Sequence, residues 1–304
     1  METLLDLTHK PLVEAEWLAD HLTEPALRIV DLRWRSDGSG RDLYRAGHIP
    51  GAVYLDWERD LTYTRAGVRY LLLPPERFAA VMSAAGIGDE TRVVAYAETD
   101  HSGPTRLWWA LKYYGHHQVA VLNGGLNQWL AEARPLTTDT AQPPPARFTA
   151  QPQPDWLATA AEIEQSLNAA GVCLVDTRPP EQYAGRAVWT PDGSLYLPVD
   201  QDWVELDGRV MRGGRIPGAI NQYAALNLEP QDNWRYLSPE RLRQRAMAAN
   251  IQPEQRVITY CGSGNSATLG LFALYLAGYR NLALYDASWE EWGVEPDQPI
   301  KRGE

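Results

Sequence analysis

Short runs of β-branched and apolar residues alternate along this chain with stretches whose apolar positions recur at helical spacing. Arg256 to Tyr260 reads as a buried strand, Thr268 to Leu276 as a helix ended near Gly278, and Leu282-Ala283-Leu284-Tyr285 as a returning strand. Strands that alternate with helices predict a mostly parallel sheet covered on both faces, with right-handed crossovers. The expected class is α/β.

The pattern occurs twice. Val30-Asp31-Leu32-Arg33 is echoed by Val175-Asp176-Thr177-Arg178, and His48-Ile49-Pro50-Gly51-Ala52 by Arg215-Ile216-Pro217-Gly218-Ala219. Val93-Val94-Ala95-Tyr96 matches Val257-Ile258-Thr259-Tyr260, and Trp108-Trp109-Ala110-Leu111 matches Leu271-Phe272-Ala273-Leu274. Gly124-Gly125-Leu126-Asn127-Gln128-Trp129 closes the first copy as Ala287-Ser288-Trp289-Glu290-Glu291-Trp292 closes the second. Blocks repeated in one order indicate a duplication. Two domains are expected, residues 1–140 and 155–304, joined by a proline-rich linker over 141–154, because Pro143-Pro144-Pro145 favours extended chain.

Composition narrows the function. A net charge of -11 with interspersed signs disfavours nucleic acid and anionic membranes, so an anionic substrate must be captured locally. The acidic start Met1-Glu2-Thr3-Leu4-Leu5-Asp6 and the lack of any run near about 20 apolar residues predict a cytoplasmic protein without leader or membrane span. Cys173 and Cys261 stand in different contexts and suggest neither a disulfide nor a metal site. His116-His117 is no better a metal site, since neighbours on one element point apart.

The chemistry concentrates in Cys261-Gly262-Ser263-Gly264-Asn265-Ser266. A cysteine at the carboxyl end of a buried strand lies where open α/β sheets bind ligands. Its glycines let several N–H groups face one point, and the next helix adds its positive end. Such a loop stabilises a thiolate without a histidine. Cys173, in the apolar run Val172-Cys173-Leu174-Val175, reads as inert core. In the first copy Ala97 takes the place of Cys261, in a loop that also carries Glu98 and Asp100, so that copy is expected to be catalytically silent and structural.

The Cys-Gly-Ser-Gly loop, preceded by Ile-Pro-Gly-Ala and followed by Tyr285-Asp286-Ala287-Ser288-Trp289-Glu290-Glu291-Trp292, resembles the rhodanese superfamily over nearly the whole chain. The loop is similar to that of 3-mercaptopyruvate sulfurtransferases, whereas relatives that prefer thiosulfate commonly place Arg or Lys there. The resemblance implies two rhodanese-like domains and a persulfide on Cys261. It further implies transfer of that sulfur to a thiol or cyanide, a thioredoxin-like protein among the possible acceptors, with no cofactor or metal. It assigns Ser263 a role in polarising the sulfur or relaying a proton, with Gly262, Gly264, Asn265 and Ser266 around the substrate. Asn265 and Ser266 depart from the Val and Thr usual in that family.

The resemblance also places His48 against the substrate, near an aspartate that is Asp37 or Asp42; a histidine that merely closes a turn is the alternative. A substrate carboxylate calls for an arginine. Relatives carry one four residues after the arginine of the Asp-x-Arg block, where this chain has Gln182. Arg186, Arg212 and Arg215 are the replacements, Arg186 first, while Arg178 and Arg33 suit structural salt bridges. These arginines border an insertion: 41 positions separate Val175 from Ile216, against 19 from Val30 to Ile49. Pro191-Asp192-Gly193 and Asp207-Gly208 predict hairpins in it, with Trp189 and Trp203 as pocket walls or packing.

Two other classes compete. A cysteine phosphatase needs an arginine six residues after the cysteine, and Ala267 stands there. A persulfide carrier or binding module keeps the loop without turning over small donors. Among enzymes, thiosulfate sulfurtransferase is the alternative.

Overall fold

The computed structural model describes residues 6–167 and 169–303. Met1–Leu5, part of the acidic start, lie outside the described residues. Among the described residues no helix is long and apolar enough to cross a membrane.

The chain divides into two compact units, and neither is a single stretch. The first comprises residues 1–62, 72–153 and 228–236, and the second residues 63–71, 154–227 and 237–304. The expected linker 141–154 belongs to the first unit almost to its end. Its prolines donate no hydrogen bond, but flanking residues do: Ala146 N–H donates to Ser83 O, Gln151 N–H to Tyr114 O, and Arg147 O accepts from Asp89 N–H.

In the first unit five parallel strands run in the order Leu12–Val13, Val119–Leu122, Arg92–Tyr96, Leu27–Asp31, Val53–Tyr54. The second repeats this as Ile220–Asn221, Val172–Asp176, Arg256–Tyr260, Leu282–Tyr285, Leu157–Ala158, again all parallel. Central strands are buried on both faces, which is why they read as unbroken apolar runs. Cys173 lies in an interior strand, and burial pushes its thiol up to about 11.

Hairpins fill the insertion. Ala187–Thr190 pairs with Gly193–Tyr196, and Trp203–Leu206 with Arg209–Arg212. In the second, Asp207 and Gly208 both take positive φ, +52° and +74°, the turn that the twist of a two-residue hairpin requires. A further hairpin, Thr62–Arg65 with Val68–Leu72, turns the same way at Ala66 and Gly67 and gives residues 63–71 to the second unit. Its Tyr63, Val68 and Leu71 join the second unit's apolar core with Val188, Ile216, Tyr260 and Trp289.

Candidate active site

Arg256–Tyr260 is the middle strand of the second sheet and delivers Cys261 at its carboxyl end. Asn265–Leu276 follows as a helix that starts three residues before the predicted Thr268, because Gly264 at φ +77° serves as its cap. A Cβ there would stand 2.3 Å from Asp286 O, so both dihedral and space demand glycine. The helix is apolar nearly all round and almost wholly buried. It ends in a Schellman motif, with Gly278 N–H donating to Tyr275 O and Tyr279 N–H to Leu274 O. Its N-terminus is thereby fixed behind the loop.

Within the loop the N–H groups of Gly262, Ser263, Asn265 and Ser266 have no acceptor among the described residues. The Ser263 hydroxyl is likewise without a partner there. Clustered amides at a helix N-terminus attract negative charge. Cys261 N–H is used differently: it donates to Ser288 Oγ at 3.1 Å, and that hydroxyl donates to Tyr285 O at 2.8 Å. Trp289 N–H donates to Cys261 O and Glu290 N–H to Gly262 O, both at 3.0 Å, which braces the loop from the other side. Cys261 is 1% exposed and Ser263 3%.

Trp189 covers the loop. A Cβ on Gly262 would lie 2.6 Å from Trp189 Cγ, so the indole rests directly on the glycine. Tyr70 meets Trp189 edge-on at 5.6 Å between ring centres. Beside it Arg69 holds the Glu290 carboxylate through Nε at 3.1 Å and Nη2 at 2.9 Å, and Arg209 Nη2 holds it at 2.7 Å. Glu290 is 1% exposed, so its charge is sustained by these two guanidinium groups. Arg69 also reaches Asp207, and the Glu290 hydrogen bond is the main reason its charged form is strengthened.

A family model described as rhodanese-like domain matches this chain twice, over residues 14–132 and 159–295. The chain belongs to the rhodanese family. It is 32% identical to the sulfur carrier protein TtuD of Thermus thermophilus, over 96% of this chain and 97% of that protein. It is 34% identical to a probable 3-mercaptopyruvate sulfurtransferase of Pseudomonas aeruginosa, with 96% and 98% covered. A thiosulfate sulfurtransferase of Cricetulus griseus is 32% identical, with 97% and 96% covered. Among solved structures it resembles the 3-mercaptopyruvate sulfotransferase SseA from Escherichia coli, with TM-score 0.77 and 26% identity over 92% of this chain and 98% of that one. Rhodanese relatives of these kinds are sulfurtransferases, and so is this chain.

The other residues singled out from sequence fall at varied places in this rhodanese pair. Gly262, Gly264, Asn265 and Ser266 all lie in the loop with Cys261 and Ser263. Arg178 is a structural ion pair, as expected. Burial opposes its charge, but Asp176, gripped at 3.0 and 2.6 Å, outweighs that and raises its pKa. Its other contacts are Gly214 O and the face of Trp289 at 4.3 Å. Arg212 and Arg215 are occupied by main-chain carbonyls, those of Gly293 and Gln298 and those of Tyr183 and Gly303.

Arg186 is exposed, and its guanidinium has no partner among the described residues. It precedes the strand Ala187–Thr190 and pairs with Leu197 through its carbonyl, so the pleat sends its side chain to the face opposite Trp189. The structure therefore does not bring it to the loop as it brings Trp189. His48 is fully buried in the first unit, its Nδ1 against Tyr44 O at 2.7 Å and its Nε2 against Asp139 O at 3.2 Å. That is a turn-closing histidine. Asp37 and Asp42 bond locally, to Ser39 N–H and Arg45. Trp203 is 44% exposed.

Three side chains that brace the loop and its surroundings escaped sequence reasoning in those roles: Ser288, Glu290 and Arg69. The repeat held a signal for the first, since Gly125 of the other copy corresponds to Ser288 and both take φ near +50°. A serine in the left-handed region is costly, and here its hydroxyl spans Cys261 and Tyr285. In the first copy Ala97 O accepts from Leu126 N–H as Cys261 O does from Trp289 N–H. The carboxylate of Glu98 lies there against Arg33 Nη1 at 3.4 Å and against Arg35.

Proposed function

We propose that this protein moves sulfane sulfur from 3-mercaptopyruvate to a thiol or cyanide through a persulfide on Cys261. The observation that carries the reading is a strand-end cysteine in a loop with no cationic side chain, four of whose main-chain N–H groups have no acceptor among the described residues. In the first step the Cys261 thiolate attacks the donor sulfur and the carbon–sulfur bond breaks. Pyruvate leaves as its enolate and takes up a proton, and sulfur remains on Cys261 as a persulfide. The loop amides stabilise negative charge on Cys261 at the start and on the outer sulfur afterwards. Ser263, with an uncommitted hydroxyl, is assigned to polarise that sulfur or relay the proton.

Thiosulfate, a dianion, would meet only amides at the loop, which favours the singly charged carboxylate donor. A cysteine cycling between thiolate and persulfide suits a reducing compartment, so the cytoplasm is the proposed location and a thiol, small or on a thioredoxin-like protein, the proposed acceptor.

Thiocyanate formation by purified protein, with 3-mercaptopyruvate or thiosulfate as donor, tests the assignment. The expected result is faster turnover with 3-mercaptopyruvate, abolished in Cys261→Ala. Faster turnover with thiosulfate assigns the protein to the thiosulfate sulfurtransferases instead. A single equivalent of sulfur taken up without turnover makes it a persulfide carrier, the function in the name of the Thermus thermophilus relative.

A further inference from the structure

A cleft of about 20 Å³ opens within the second unit between the helices Pro239–Ala248 and Asn265–Leu276 and the turn Ala224–Asn227. Its floor is apolar, from Val175, Leu242, Ile251 and Leu274, and Arg245, Gln222 and Asn227 supply its polar side. Space of that order admits one small group rather than a bulky ligand.

The guanidinium of Arg245 is poorly provided for. Its Nε is buried without a hydrogen-bond partner, and Nη2 reaches only the neutral Gln222 Oε1, at 3.4 Å. Gln222 Nε2 donates to Arg245 O at 3.3 Å, which fixes that amide with its oxygen toward the guanidinium. Nη1 has no partner among the described residues, and Arg245 is only half-buried, so a solute can reach that end. Burial lowers the pKa of the group, and no carboxylate offsets the loss. Elsewhere in this unit Arg178, Arg209 and Arg256, also largely buried, each hold a carboxylate, and Arg212 and Arg215 hold main-chain carbonyls. A place in the last turn of its helix suits a cation, but an exposed side chain would serve the macrodipole as well. Asn227 is 7% exposed, and its carboxamide makes no hydrogen bond among the described residues. Buried polar groups are nearly always paired, so a guanidinium and a carboxamide left open on one cleft call for an acceptor.

We propose that this cleft is a binding site for a small monocarboxylate with a tail of one or two carbons, separate from the Cys261 loop. The carboxylate pairs with the open end of the Arg245 guanidinium and accepts from the Asn227 carboxamide, while the tail covers the apolar floor. A dianion such as phosphate gains less, because the floor offers its further oxygens no donor. The cleft touches the buried helix at Gly270, Ala273 and Leu274, roughly 8–14 Å along it from its start at Asn265. No residue of the Cys261 loop lines it, so the inference does not depend on the persulfide reading.

The test titrates the full chain with propionate and with its neutral isostere propionamide, followed by saturation-transfer NMR of the ligand. Propionate is expected to bind with a dissociation constant of about 1 mM, and propionamide at least about tenfold more weakly. Arg245→Met, which keeps the length but loses the charge, and Asn227→Leu should each weaken propionate by about tenfold or more. Arg245→Met should also unfold at no lower urea concentration than the unaltered chain, because a charge withdrawn from water without a partner adds no stability. A midpoint held in this way separates lost binding from lost folding. A lower midpoint marks Arg245 as a structural cation and overturns the proposal. So does propionate binding that Arg245→Met leaves in place, which moves the carboxylate to another site such as the Cys261 loop. Absence of propionate binding up to about 20 mM, or tighter binding of inorganic phosphate than of propionate, overturns it as well.

Discussion

Trp189 rests on Gly262 with its Cγ 2.6 Å and its Cβ 2.7 Å from where a glycine Cβ would be. Gly262→Ala must therefore displace either the indole or the loop. Turnover is expected to fall at least about tenfold with a stability loss of about 1–3 kcal/mol. Thiocyanate assays beside urea unfolding measure both, and unchanged turnover would mean that the indole gives way freely.

Ser288 trades backbone strain for a bridge. Ser288→Ala keeps the φ of +51° but strips Cys261 N–H and Tyr285 O of their shared partner, an expected cost of about 1–3 kcal/mol. Ser288→Gly loses the same bridge but relieves the strain, so it should be the more stable variant by up to about 1 kcal/mol. Equal midpoints for the two in urea would argue against strain at this residue.

Arg69→Ala leaves buried Glu290 with Arg209 alone. Stability should fall by about 1–3 kcal/mol, and Arg69→Ala combined with Glu290→Gln should recover part of it, because the unpaired charge causes much of the loss. A double-mutant cycle reads that coupling. Additive losses would show that Arg69 and Glu290 act independently.

Burial holds two histidines of the first unit neutral. It pulls His101 down to about 4, and it does the same for His116 despite opposing main-chain hydrogen bonds. An unfolded imidazole binds its proton near 6.5, so between about 6.5 and about 4 the unfolded chain holds more protons. Stability is complete above that window and falls as the pH drops through it, by about 2 kcal/mol for each histidine between pH 7 and pH 5. Urea midpoints taken across this range should decline, with a shallower slope for His101→Gln. An unaltered slope would mean that another group drives acid unfolding.

The strand, loop and helix around Cys261 are legible in sequence because their determinants are local: an apolar run, glycines at fixed places, then helix formers. The repeat supplied the loop at Ala97 that corresponds to the Cys261 loop, and the Asp207-Gly208 pair supplied its hairpin. The pairing of Arg69 with Glu290 was not legible: Glu290 stands in the closing block, but Arg69 is 221 residues away and belongs to no motif. His48 shows a different limit, since one sequence context serves a turn-closing and a substrate-facing histidine, and only burial with two carbonyl contacts separates them. Arg186 was favoured for being near the right block, but the pleat of a two-stranded hairpin decides which face a side chain takes.

Residues 63–71 belong to the unit that carries Cys261, and residues 228–236 to the one that does not. A reading frame opened at position 155 would encode the Cys261 loop without Arg69 or Tyr70, and one closed at 140 would encode a first unit missing residues 141–153 and 228–236. The gene therefore cannot be divided at the boundary that its repeat suggests. Since the duplication the two copies have become a single heritable module, and recombination could exchange one of them only by carrying along a short segment written inside the other.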